Sequence, residues 1–191
     1  MNKFEAEKMI NDNELSFKQL ENIRKIIDVL SKYIFVNRDI MNYRAKQKIG
    51  LSYIKKAVDL DLIVQLYDLE NEAYYYKLAQ NAKFLLDKNS KKYNEIDVFS
   101  NVSEFENLIK LNLFLMKEKK DFTENLFSTN AFINKKTKEI YYFKESISQK
   151  EILRNLANIN SNFQKMKDMY NFIEIKTDKI SISNESIKSK F

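Results

Sequence analysis

The sequence predicts an α+β protein in two parts, and three observations carry that reading. Apolar side chains repeat at helical spacing through residues 17–34, and two shorter helical patterns follow before residue 60. Runs rich in β-branched and aromatic residues, Leu62–Tyr67 and Ala73–Leu78, then bracket an acidic turn. A polar stretch at 89–102 reads as a linker to a second part that again mixes helical and strand patterns. The domain reading is an N-terminal extension at 1–15, a first domain at 16–88, and a small α+β domain with two hairpins at 103–191.

In the first helix Phe17, Leu20, Ile23, Ile27, Leu30 and Ile34 follow one another in steps of three and four, which places them on one face. The run Tyr33-Ile34-Phe35-Val36 interrupts this pattern, and Asn37 caps a second helix over 38–46 with Ile40, Met41 and Ala45 inward. Gly50 precedes a third helix. There Leu51, Ile54, Ala57 and Val58 face one side, and Ser52, Tyr53, Lys55 and Lys56 the other. Two strands follow around the tip Asp68-Leu69-Glu70-Asn71-Glu72, and a helix from Gln80 to Lys88 buries Ala82, Leu85 and Leu86. A continuous helix across 51–88 competes with this reading. Three consecutive tyrosines, Tyr74 to Tyr76, favour the hairpin.

In the second part, Ser103-Glu104-Phe105-Glu106 has capping-box spacing and opens a helix through Phe105, Leu108, Ile109, Leu111 and Leu115. The alternation Leu111, Leu113, Leu115 fits a strand equally well, and apolar residues on both sides imply burial in a core or a dimer interface. Ala131–Asn134 and Glu139–Phe143 form a hairpin around a basic tip, Lys135-Lys136-Thr137-Lys138. Ser148-Gln149-Lys150-Glu151 is a second capping box, starting a helix with Ile152, Leu153, Leu156, Ile159, Phe163 and Met166 inward. Phe172–Lys176 and Lys179–Ile182 pair as a second hairpin before a polar tail.

Composition narrows the chemistry. The 191 residues include 14 Phe and 11 Tyr and are 44% hydrophobic, enough to fill a core. Histidine, cysteine, proline and tryptophan are absent and Gly50 is the one glycine. That excludes Ser-His-Asp and Cys-His nucleophiles, disulfides, ordinary zinc sites and glycine-rich phosphate loops. The expectation is a non-catalytic protein with no metal and no cofactor. No apolar run approaches the ~18 residues of a membrane span, and Met1–Glu7 has no hydrophobic signal segment, so a cytoplasmic protein without a membrane partner is expected. The 29 Lys, 22 Asn and 21 Ile against 4 Arg are what AT-rich coding DNA produces, which suits an AT-rich bacterium, its plasmids or its phages.

The formal charge is +6, and its location says more than its size. Residues 38–56 carry Arg38, Arg44, Lys46, Lys48, Lys55 and Lys56 against Asp39 alone, whereas residues 1–37 are neutral and 57–90 are net acidic. Such clustering is an electrostatic footprint for phosphates, although a lysine-rich face that simply meets water gives the same count.

Four pieces in this order are similar to the winged helix-turn-helix DNA-binding domains: Tyr33–Asn37 ahead of the second helix, Leu51–Val58 as the third helix, Leu62-Ile63 opening the hairpin, and the strand-to-helix run Tyr74–Leu86. The resemblance covers residues 16–88. It implies a third helix in the major groove, with Ser52, Tyr53, Lys55 and Lys56 at base edges and Arg38, Arg44, Lys46 and Lys48 on backbone phosphates. One departure is the wing: family wings often carry basic residues, whereas Asp68, Glu70 and Glu72 would be repelled by phosphate, so no DNA contact is assigned to it.

The preferred function is therefore sequence-directed binding of duplex DNA, as a transcriptional regulator or a plasmid or phage replication accessory factor, with a homodimer suiting two half-sites. A protein-interaction module, such as an inhibitor or anti-defence factor whose acidic wing meets a basic partner, is the alternative. A third reading rests on Glu174-Ile175-Lys176. This resembles the E-x-K half of restriction-like nuclease sites, with Glu139 and Asp168 as candidates for a second Mg²⁺-binding acid.

Overall fold

The computed structural model describes residue 8 and residues 15–68, 72–86, 106–120, 123–126, 130–157 and 168–176. The chain divides into two compact units, Met1–Glu104 and Phe105–Phe191.

The first unit begins with helix α1, Phe17–Tyr33. Ser16 caps it: its hydroxyl accepts from the Gln19 amide at 3.3 Å, and Gln19 Oε1 accepts from the Ser16 amide at 2.8 Å, which satisfies two amides that the helix itself leaves unpaired. Ile23, Ile26, Ile27, Val29, Leu30 and Tyr33 are buried. Phe17, expected inward, is 84% exposed, because it is the first helical residue and extends past the packed part of the stripe. Ile34, also assigned to that stripe, leaves the helix with φ of 64° and turns the chain into strand β1, Phe35–Asn37. A β-branched residue in this region is strained, so tertiary packing holds the turn.

Helix α2, Arg38–Ala45, starts at once, with Asn37 Oδ1 accepting from the Ile40 amide at 2.9 Å. Helix α3, Leu51–Asp59, follows after a short turn and buries Ile54 and Ala57. Leu51 departs from the expected inward face and is 57% exposed. Both short helices pack on α1. Strands β2, Ile63–Asp68, and β3, Ala73–Leu78, pair antiparallel, and β1 adds to the far side of β3, giving the sheet order β1-β3-β2. The hairpin thus displaces the continuous-helix alternative. The helix expected over 80–88 is a 3-10 turn at Gln80–Phe84, and residues 87 and 88 lie outside the described residues.

Phe35, fully buried, stacks on Tyr75 at 5.2 Å between ring centroids and 13° between planes. Burial, and after it the nearby Asp68 carboxylate, push the Tyr75 phenol up to about 12 from an ordinary 10.0. The folded state therefore holds the phenolic proton more tightly than the unfolded chain does. Its contribution to stability is complete below the unfolded pKa and is lost as pH rises towards the folded one. The first unit is expected to weaken between about pH 10 and 12. Urea melts across that window will show the decline, and Tyr75→Phe will make it shallower.

The described residues of the second unit run helix, three strands, helix, strand. Helix α4, Glu106–Lys117, buries Leu108, Ile109, Leu111 and Leu115, which settles the strand-or-helix ambiguity there as helix. That burial is met within the chain. Its expected cap at Ser103 lies outside the described residues, as does the 89–102 linker. Strands β4 (Thr123–Asn125), β5 (Ala131–Asn134) and β6 (Glu139–Phe143) form an antiparallel meander. In the β5–β6 turn, Asn134 Oδ1 accepts from the amides of Lys136 and Thr137 at 3.0 and 3.2 Å.

Helix α5, Gln149–Ala157, is capped by Ser148 Oγ accepting from the Glu151 amide at 3.2 Å, and it places Ile152, Leu153 and Leu156 in a core with Ile133, Ile140 and Tyr142. The continuation through Ile159, Phe163 and Met166 lies outside the described residues. Strand β7, Asn171–Ile175, pairs in parallel with β6, giving a mixed sheet of order β4-β5-β6-β7. The hairpin expected between 172–176 and 179–182 is not tested by this pairing. Residues 179–182 lie outside the described residues, and the pairing that β7 makes is a non-local one.

Candidate nucleic-acid interface

The basic stretch 38–56 spans helix α2, a turn and most of helix α3, and the turn is fixed by side-chain amides. Lys46 ends α2 in the left-handed region, φ 54°, and the Gln47 amide donates back to Asn42 O at 3.2 Å. Asn42 Oδ1 accepts from the Ile49 amide at 2.8 Å. Gln47 Nε2 donates to Asn22 Oδ1 at 3.0 Å, and Lys25 Nζ donates to Gln47 Oε1 at 2.9 Å and to Glu21 Oε1 at 2.7 Å. The turn is thereby tied to α1, and α3 leaves it in a set direction. Asn22, buried beside Ile23 on a helix that otherwise buries apolar side chains, was the sequence signal for this network.

The eight candidate contact residues separate into two groups. Lys46, Lys48, Ser52 and Lys55 are exposed, on the turn and on the outer face of α3. Arg38, Arg44, Tyr53 and Lys56 are half-buried. The Arg44 guanidinium lies 4.5 Å from the Tyr33 ring centroid and 5.6 Å from that of Tyr43, so its flat faces are spent on aromatic rings. Arg38 sits near Tyr76, with its Nε buried and lacking a hydrogen-bond partner. The Tyr53 ring lies back over Gly50, where an added Cβ would come within 3.4 Å of it. Its hydroxyl, not its face, is therefore the part suited to reach outward.

The β2–β3 hairpin differs from the acidic tip read from the sequence. Asp68, expected to repel phosphate there, ends β2 opposite Ala73 and is buried beside Tyr75. Glu72 is exposed, and Glu70 lies outside the described residues. Tyr67 and Tyr74 form a cross-strand pair, 4.9 Å between centroids, and are 48% and 50% exposed. Among the described residues of the hairpin, one of the acids is thus withdrawn from the surface and an aromatic pair is exposed.

No protein-family model, curated protein or solved structure matches the chain.

The residues of the nuclease reading do not converge. Glu139 lies opposite Asn171, and Glu174 lies opposite Tyr142. The Thr137 hydroxyl and then the Tyr141 hydroxyl, the latter at 2.6 Å, donate to Glu139 and hold its carboxyl below the usual range. Glu174 faces Lys144 at 3.9 Å, while Asp168 and Lys176 are exposed. Among the described residues no group of three or more acids could hold a metal ion, and no helix is long and apolar enough to cross a membrane.

Proposed function

We propose that the chain binds duplex DNA without catalysing a reaction, and that residues 16–88 are a winged helix-turn-helix whose third helix, α3, enters the major groove. The observation that carries this reading is the anchored turn between α2 and α3, with Lys46, Lys48, Ser52 and Lys55 exposed along one continuous stretch. The strand order β1-β3-β2 and the helix order before it are what such a domain needs to present that helix. Lysines on the turn and on α3 suit backbone phosphates, and Ser52 and Lys55 suit base edges. A role in transcription or in plasmid or phage replication fits such binding. A homodimer on two half-sites belongs to the same proposal.

The test is affinity for a labelled mixed-sequence duplex across a salt series. Each phosphate neutralised contributes about −0.9 to the slope of log affinity against log salt, so the exposed lysines should give a slope of roughly −3 or steeper. No binding at low salt overturns the reading. The exposed Tyr67–Tyr74 pair then favours a protein-binding surface on the wing, the second reading.

A further inference from the structure

Leu51 is the large apolar side chain that the first unit leaves most exposed on its basic helix, at 57%. It is the first residue of α3, one position before Ser52 and one helical turn before Lys55, so the three share an outer face. That face is poor in the groups that read bases by paired hydrogen bonds. It holds no Arg, Asn or Gln, and its sole acid, Asp59, comes at the far end, so Ser52 and Lys55 are the hydrogen-bonding groups it offers to base edges. What it does hold is a branched hydrocarbon flanked by a hydroxyl and an ammonium. In the major groove the one base feature that rewards hydrocarbon contact is the thymine C5 methyl. The lysines on either side supply the attraction that holds such a face against an anionic duplex, so an apolar partner protein is the weaker match.

We propose that Leu51 is a specificity-determining residue that packs on a thymine methyl, giving the protein a preference for T-containing sites read by shape and methyl contact. This rests on the duplex-binding reading above, and the test separates the two. Sites are first selected from a randomised duplex pool with the full chain, then synthesised with thymine or with uracil at each position. Uracil keeps the hydrogen-bonding edge and removes only the methyl. Replacing the contacted thymine should weaken wild-type binding about fourfold, the equivalent of one buried methyl group at ~0.8 kcal/mol. Leu51→Ala should keep the salt slope and lose most of the discrimination between thymine and uracil. Its side chain is exposed, so the fold has little reason to suffer.

Equal wild-type affinity for the two duplexes, with a steep salt slope, overturns the Leu51 assignment and leaves the DNA reading standing. Discrimination that survives Leu51→Ala overturns it too, since another residue then reads the methyl. Absence of duplex binding overturns both.

Discussion

Lys48→Glu with Lys55→Glu is expected to lower duplex affinity on the order of a hundredfold near 0.1 M salt and to flatten the salt slope by about 2 units. Both side chains are exposed, one on the turn and one on α3, so the double reversal removes two phosphate contacts with little cost to packing. Each contact with a slope of about −0.9 is worth roughly eightfold between 1 M and 0.1 M salt, and two are worth about sixtyfold. Repulsion by the introduced carboxylates supplies the remainder. The total charge falls from +6 to +2, so the control must change charge equally elsewhere. Lys144→Glu with Lys150→Glu, two exposed lysines of the second unit, does so. If location governs binding, the control keeps the wild-type slope. Equal losses in the two variants would mean that the protein attracts DNA by net charge alone, and the helix-turn-helix assignment would fail.

These lysines were legible in the sequence because charge clusters survive folding: a local run remains local once the chain is built. The helices and hairpin of the first unit were legible for a related reason. A stripe such as Ile23, Ile27 and Leu30, or a cap such as Asn37, is a short-range instruction that tertiary packing reinforces. Periodicity failed at helix starts. Phe17 and Leu51 obey the spacing of their stripes, yet each is the first residue of its helix and extends beyond the neighbours that would cover it.

Non-local features were harder to read. Asp68 looked like part of an exposed tip because five polar-rich residues surround the turn. Pairing with Ala73 extends β2 by one residue and turns that carboxylate inward. Strand β4, Thr123-Glu124-Asn125, has no apolar alternation at all and exists through its pairing with β5. Strand β7 is legible as a strand, but its pairing with β6 is not, because nearness in sequence is the only guide to pairing that a single chain offers. Its parallel partner β6 lies on the other side of helix α5. The same limit hid the contact surface within the basic run. Composition could not tell Arg44, spread over two tyrosine rings, from Lys48, which is exposed.

Phe35→Ala is expected to cost the first unit about 3–5 kcal/mol, the range for removing a fully buried aromatic side chain, with the lost stack on Tyr75 included. Since a domain's whole stability is about 5–15 kcal/mol, this variant should lie near the edge of folding. The damage has a definite location. Phe35 begins β1, which pairs with β3 through Phe35↔Lys77, Val36↔Tyr76 and Asn37↔Tyr75, and α2 starts at the residue after that strand. Hydrogen exchange should therefore rise across β1, β3 and the first turn of α2, while the amides of β5 and β6 in the second unit serve as an internal reference. Phe35→Leu, which keeps most of the volume, should recover more than half of the loss. The variant also separates folding from recognition. Where Phe35→Ala remains folded, at low temperature, its salt slope should match wild type, because no charged group has been altered. A destabilisation below about 1 kcal/mol would show that β1 is not anchored by this ring. A flattened slope in the folded variant would show that the direction of α2 and α3 depends on it.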